Sequence, residues 1–306
     1  MKFNSNHVSP LEPDRISNGT DGKSIRSWHS PFAASRWRSA SVAFTRTDLL
    51  VVVGVGMLLS LVTLPSVAAS RVRADLAFCL GNFRQLGRAW MLYTEDNNGL
   101  LPGNLNGGLG QDPKNRKLAW ATGWLDFSGT DNTNTANLRD AQLGRYVESI
   151  SIFRCPSDPS LHRGKTGVPR VRSISMNCYM GEQSSPYTSG YRLFHKLADI
   201  SAPSPAKAFV FIEEHEGSIN DPWYAVSMDG YEPEQPSAQT FVNIPADWHE
   251  GSCSLGFADG HVEDWRWLDP RTRPPHRLGG QLSLGTSHPG NVDLRRIQAA
   301  ATSRAF

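Results

Sequence analysis

The chain has 306 residues, 39% hydrophobic and 20% charged, a composition that suits one sizeable folded domain. A formal net charge of +2, with arginines scattered among acids, leaves no basic stripe and argues against a nucleic-acid partner. None of the four cysteines, Cys79, Cys155, Cys178 and Cys253, forms a Cys-x-x-Cys pair, which weakens a zinc knuckle or a thioredoxin-like site. Four cysteines allow three full pairings, and the sequence alone does not choose among them.

Residues 1–43 are rich in Ser, Asn, Arg and Pro with little periodicity, and read as a disordered leader. Residues 49–69 follow without a charge and, as a helix, are long enough to cross a hydrocarbon core of roughly 30 Å. Arg36, Arg38 and Arg46 flank this span, and positive residues stay cytoplasmic, which places everything downstream on the far side of the membrane. Ser66-Val67-Ala68-Ala69 would suit a signal-peptidase cut, but the apolar run is long and its leader long and polar, so an anchor is preferred. Beyond the span, Leu76, Cys79, Leu80, Phe83, Leu86, Trp90 and Tyr93 recur at steps of three and four, one face of a helix. Asn97-Asn98-Gly99 supplies the stop, with Pro102 close behind. The pattern predicts a single helix over 44–97, kinked at Pro65, membrane half first and amphipathic half second.

The remainder, 98–269, reads as a mixed head. Residues 103–135 are rich in Gly, Asn and Trp and predict loops, and 138–149 predict a short helix ending near Tyr146. Residues 208–212 read as a buried strand. From Cys253 to Trp267 two strands flank Asp259-Gly260, a hairpin turn of type I′ with positive φ at both positions. Residues 270–306 read as a Pro-, Arg- and Gly-rich tail with a weak helical stretch over 292–301. The expected fold is α+β: a long N-terminal helix packed on a small antiparallel β-sheet head with long loops.

Glu213, Glu214, His215, His249, Asp259 and His261 form the best ligand set, of the right types for Zn²⁺ or, using the acids alone, Ca²⁺. Glu213 and Glu214 follow a buried strand while Asp259 and His261 flank a turn, so they could converge, and Glu214, His249 and Asp259 are the first ligands to test. The plainer reading is that Asp259 serves its turn and His249 bonds to backbone, and a His-Glu-x-x-His spacing is absent. No other cofactor is expected. The nine tryptophans include material for a sugar-stacking platform, although most are expected in the core. Gly107-Gly108-Leu109-Gly110 lacks the strand-to-helix setting of a phosphate loop, and no Gly-x-Ser-x-Gly elbow occurs, so a non-enzyme is expected.

Ala43-Phe44-Thr45-x-x-Asp48 ahead of an apolar helix resembles the prepilin-type cleavage and methylation motif of type IV pilins and type II secretion pseudopilins. Further blocks are similar to one large pseudopilin-like family: the run from Cys79 to Tyr93, Asp96-Asn-Asn-Gly-x-x-Pro102, Phe153-Arg-Cys-Pro-Ser-Asp158, Ser175-Met-Asn177, Ser218-Ile-Asn-Asp221, and His249 nine residues ahead of Asp259-Gly260. The resemblance runs from about Ala43 to the C-terminus. It implies a pilin-like fold and a structural subunit held in the inner membrane by one span, with its N-terminus cytoplasmic and its head periplasmic or in an extracellular fibre. It also implies a prepilin peptidase that cuts between Ala43 and Phe44 and methylates the new terminus, after which the helix bundles with copies or with other pseudopilins. Asp48 would then pair with a neighbour's terminal amine. Two residues depart from the family: Ala43 stands where Gly is usual, and Asp48 where Glu is usual. Cys79 and Cys155 fall on family-type positions, so the resemblance further implies a bridge between them, worth roughly 3–5 kcal/mol for so long a loop. The rival functions are an anchored binding module for polysaccharide or protein and, behind it, a metal-dependent hydrolase.

Overall fold

The computed structural model describes residues 44–181 and 185–305; the leader, with Ala43 of the expected cleavage motif, lies outside them. Helix α1 (Arg46–Asp96) is followed by short helices α2 (Gly107–Gln111) and α3 (Ala136–Arg139). Strands β1 (Leu161–Arg163), β2 (Thr166–Pro169), β3 (Ile174–Asn177), β4 (Phe209–Glu213), β5 (Trp223–Tyr224), β6 (Thr240–Phe241), β7 (Ser252–Phe257), β8 (Val262–Arg266) and β9 (Thr286–Ser287) precede helix α4 (Val292–Ala301). The described residues form two units that divide between Val55 and Gly56, the first holding the start of α1 and the second the rest of the chain.

The start of α1 is set by a reciprocal cap. Thr45 Oγ1 accepts from the Asp48 amide at 3.1 Å, while Asp48 Oδ2 accepts from the Thr45 amide at 2.9 Å and its hydroxyl at 2.7 Å. These bonds satisfy amide groups that the first helical turn cannot, and the Thr45 hydroxyl holds the Asp48 carboxyl below its ordinary range. The membrane expectation fails downstream of this cap. Among the described residues no helix is long and apolar enough to cross a membrane, so a single-pass inner-membrane protein with a periplasmic head is not supported.

The later half of α1 packs on the sheet. Cys79, Phe83, Leu86, Trp90 and Tyr93 are buried, whereas Phe78 on the opposite side is exposed. Gly256 in β7 allows the approach: a Cβ there would lie 3.3 Å from Phe83 Cδ1. The helix ends where Asn98 and Gly99 turn to positive φ (56° and 80°) and the Gly99 amide closes on the Thr94 carbonyl at 2.7 Å.

The main sheet has five strands in the order β5-β3-β4-β7-β8. It is mixed, correcting the antiparallel expectation, because β3 and β5 pair in parallel, Met176 opposite Trp223 and Asn177 opposite Tyr224. The reason is topological. In the finished sheet β3 and β7 flank β4, which leaves β5 an outer edge, the one beside β3. Running opposite to β4, it lies parallel to β3. Every residue of β3, β4 and β7 is buried, so the core lies along these three strands.

Two local expectations also change. The hairpin between β7 and β8 does not use a type I′ turn: Gly260 has φ +89°, but Asp259 is not among the residues of positive φ. The Gly260 amide bonds to the Phe257 carbonyl at 2.9 Å and the Phe257 amide to the His261 carbonyl at 3.0 Å, a turn closed by a glycine bulge. In place of a helix over 138–149 there is α3 and then separate single 3₁₀ turns at Gly144–Tyr146 and Ile150–Phe153. Beyond Pro270 the chain stays in the fold. Strand β9 pairs with β6, and α4, capped by the Asn291 side chain, buries Leu294, Ile297 and Ala301.

Candidate metal centre

Four side chains from four distant segments converge beneath α1. Cys79 comes from the apolar stripe of α1, one turn before Phe83. Cys155 follows the 3₁₀ turn at Ile150–Phe153, and its amide donates to Ser173 Oγ at 2.7 Å, which holds the loop beside β3. Glu213 ends β4 and shares a pleat face with Phe211. His249 sits in the tight turn before β7, shaped by positive φ at Glu250 and Gly251 and closed by the Ser252 hydroxyl on the His249 carbonyl at 2.8 Å.

Cys79 Sγ lies 2.6 Å from Glu213 Oε1, which is 3.2 Å from His249 Nε2, itself 3.3 Å from Cys155 Sγ. All four donor atoms lie within 4.8 Å of one another. Cys79, Cys155 and Glu213 have no exposed surface and His249 only 3%. The second carboxylate oxygen of Glu213 accepts from the Ser254 amide at 2.7 Å, and the Ser157 amide donates to Cys155 Sγ at 3.4 Å. His249 Nδ1 has no hydrogen-bond partner among the described residues, so the ring acts through Nε2.

The electrostatics follow from burial and these contacts. Burial, reinforced by Cys155 and Glu213, pushes the Cys79 thiol well up. Burial alone would lower His249, but Cys155 and Glu213 outweigh it and carry the imidazole to about 10. Burial likewise works against ionised Glu213, yet His249 and the two thiols hold it below its ordinary range. Glu213 and His249 thus favour each other's charged forms, with the sulfurs of Cys79 and Cys155 beside them.

The expected Cys79–Cys155 bridge is replaced by two thiols: all four cysteines are free and buried. Of the expected ligands Glu214, His249 and Asp259, only His249 belongs to the cluster. Glu214 points to the other side of the sheet end, where Ser175 Oγ, Ser218 Oγ and Asn243 Nδ2 donate to it at 2.6, 2.7 and 2.5 Å. Asp259 stays in its hairpin turn, accepting from the backbone and ring of His261, which also reaches Glu263. His215 stacks on His276 with centroids 5.5 Å apart, and His276 reaches Glu216 at 3.0 Å. There His215 Nδ1 already accepts the Gly217 amide, so its Nε2 carries the proton and is a poor ligand. Glu213, a member of the wider candidate set though not among the first three, joins His249 in the cluster, and the residues missed as ligands are Cys79 and Cys155. The common signal of the cluster was chemical: two thiols, an acid at a strand end and a histidine in a turn, with no local spacing to join them. No family model, curated protein or solved structure matches the chain.

Proposed function

We propose that the chain is a pseudopilin-like structural subunit, processed by a prepilin peptidase and assembled with copies of itself through the first part of α1. The observation that supports this reading is the bare apolar start of that helix. Leu49, Leu50, Val51, Val52, Val53, Val55, Met57, Leu58, Leu59 and Leu61 are all exposed. Consecutive positions point all round a helix, and a helix apolar on every side needs a cover. Since the membrane reading is not supported, the same segment of a second copy is the cover this proposal takes.

The magnitudes allow it. A neighbouring copy covers about half of these ten side chains, on the order of 7–15 kcal/mol, against an association cost of about 4–15 kcal/mol, and covering every side takes more than one neighbour. Gly54 and Gly56, with nothing within 4 Å of where a Cβ would stand, leave room for a neighbouring backbone. Phe44 and Asp48, exposed at the start of this segment, are where a processed subunit would begin its contacts. The buried tetrad has no exposed donor to meet a substrate, which sets the hydrolase reading below this one.

Cross-linking tests the proposal on the full-length chain. The four native thiols are buried, so Leu50→Cys adds the accessible one. Under mild oxidation it is expected to give disulfide-linked dimers at least ~10-fold faster than Leu109→Cys, an exposed control in α2, because pre-association raises the effective thiol concentration. Equal rates for the two variants would refute assembly through this segment.

A further inference from the structure

We infer that Cys79, Cys155, Glu213 and His249 are the four ligands of one structural divalent ion of the zinc class, which fastens α1 to the sheet. The inference stands apart from the assembly proposal and rests on other atoms. With metal–sulfur bonds of about 2.3 Å and metal–nitrogen or –oxygen bonds of about 2.0–2.1 Å, the edges of a tetrahedral centre are roughly 3.3–3.8 Å. The His249–Glu213 and Cys155–His249 separations of 3.2 and 3.3 Å are slightly shorter than such edges, and the remaining donors close the set within 4.8 Å. Cys79 and Glu213, at 2.6 Å, are closer than an edge and would part by about 1 Å around an ion.

The donor types select the ion. Two sulfurs with an imidazole favour zinc over hard cations, and calcium needs about 6–8 oxygen ligands where this centre offers one carboxylate. Outer contacts of the kind that orient ligands are in place: the Ser254 amide holds the carboxylate oxygen that faces away, and the Ser157 amide supports the Cys155 sulfur. Four protein donors, all buried, leave no position for a substrate or a reactive water, which makes the site structural rather than catalytic. Cys79 and Glu213 are 134 residues apart and Cys155 and His249 are 94 apart, so one ion would close long loops between α1, the Cys155 loop, β4 and the turn before β7. The other two thiols are engaged elsewhere: Cys178 Sγ accepts the Val226 amide and Cys253 donates to the Glu213 carbonyl.

The test uses the purified full-length chain. Elemental analysis with native mass measurement is expected to find one zinc per chain, and cobalt exchange to give tetrahedral bands with a thiolate charge-transfer band. Chelation is expected to lower the melting temperature by about 10 °C or more. Cys155→Ser and His249→Ala should weaken metal binding beyond the roughly 10–100-fold typical of losing an outer partner, while Cys253→Ser keeps one ion per chain. If a ligand variant fails to fold, the cobalt spectrum and chelation response of the unaltered protein decide alone. A chain without metal, a Cys79–Cys155 disulfide in the freshly isolated protein, a cobalt form lacking the thiolate band, or loss of metal in Cys253→Ser equal to that in Cys155→Ser would overturn the inference.

Discussion

Glu214→Ala is expected to destabilise the head by about 3–5 kcal/mol while leaving its metal content at the level of the unaltered protein. The carboxylate is fully buried and accepts from Ser175, Ser218 and Asn243. Burial pushes its pKa up to about 7 in spite of those three donors and the nearby Arg172 guanidinium. Arg172 is itself buried and bound to the Ile174 carbonyl, the Ser175 hydroxyl and the Asn220 carbonyl, so removing Glu214 leaves three polar side chains short of an acceptor around a buried cation. Glu214→Gln restores an acceptor but turns an amide toward donors, and should cost about 1–3 kcal/mol. Glu213→Ala, one residue earlier, should behave differently: it removes a ligand and the metal with it. Urea denaturation and metal analysis on the same samples separate the two glutamates. Metal loss in Glu214→Ala from a folded head would show that the pleat assignment of the pair is reversed.

Trp120→Ala should cost a similar amount, about 3–5 kcal/mol from the cavity alone. The indole is wholly buried, stacked on Phe153 with centroids 6.0 Å apart and tilted against Phe211 at 5.2 Å. Its Nε1 donates to Asn104 Oδ1 at 3.1 Å, and the Asn104 amide donates to the carbonyls of Met176 and Asn177. One side chain thus joins the 103–135 loops to β3 and β4. Trp120→Phe keeps ring contact and loses the N–H, leaving Asn104 Oδ1 unpaired for about 1–3 kcal/mol. The spread between the two variants in denaturant midpoints measures packing against hydrogen bonding. A near-neutral Trp120→Ala would place this indole outside the core.

What could be read from the sequence was local. Cys79, Phe83, Leu86, Trp90 and Tyr93 announce a helix face because their spacing is the helix period, and burial of that face follows. The strands around Asp259-Gly260 were legible for the same kind of reason, alternation, yet the turn type was not, since it depends on the sign of φ at Asp259. Strand β5 is two residues long and owes its parallel pairing to the edge left vacant beside β3, which no window of sequence contains. The choice between Glu213 and Glu214 turns on pleat phase at the end of β4, where a one-residue error moves a side chain to the opposite face. The family resemblance pairs Cys79 with Cys155, but their meeting with His249 and Glu213 needs the whole sheet in place. The apolar run at 49–69 has the composition of a span, and composition does not say what covers it.

Copies of the same chain are the proposed cover of this run. Sedimentation equilibrium of the full-length protein, beside a Leu50→Glu/Leu58→Glu double variant, tests it most directly. Under assembly through this helix the unaltered protein sediments as a multiple of the 33.7 kDa chain and the variant as a single chain with the same head melting temperature. A monomeric unaltered protein, or a variant that associates equally well, would contradict it.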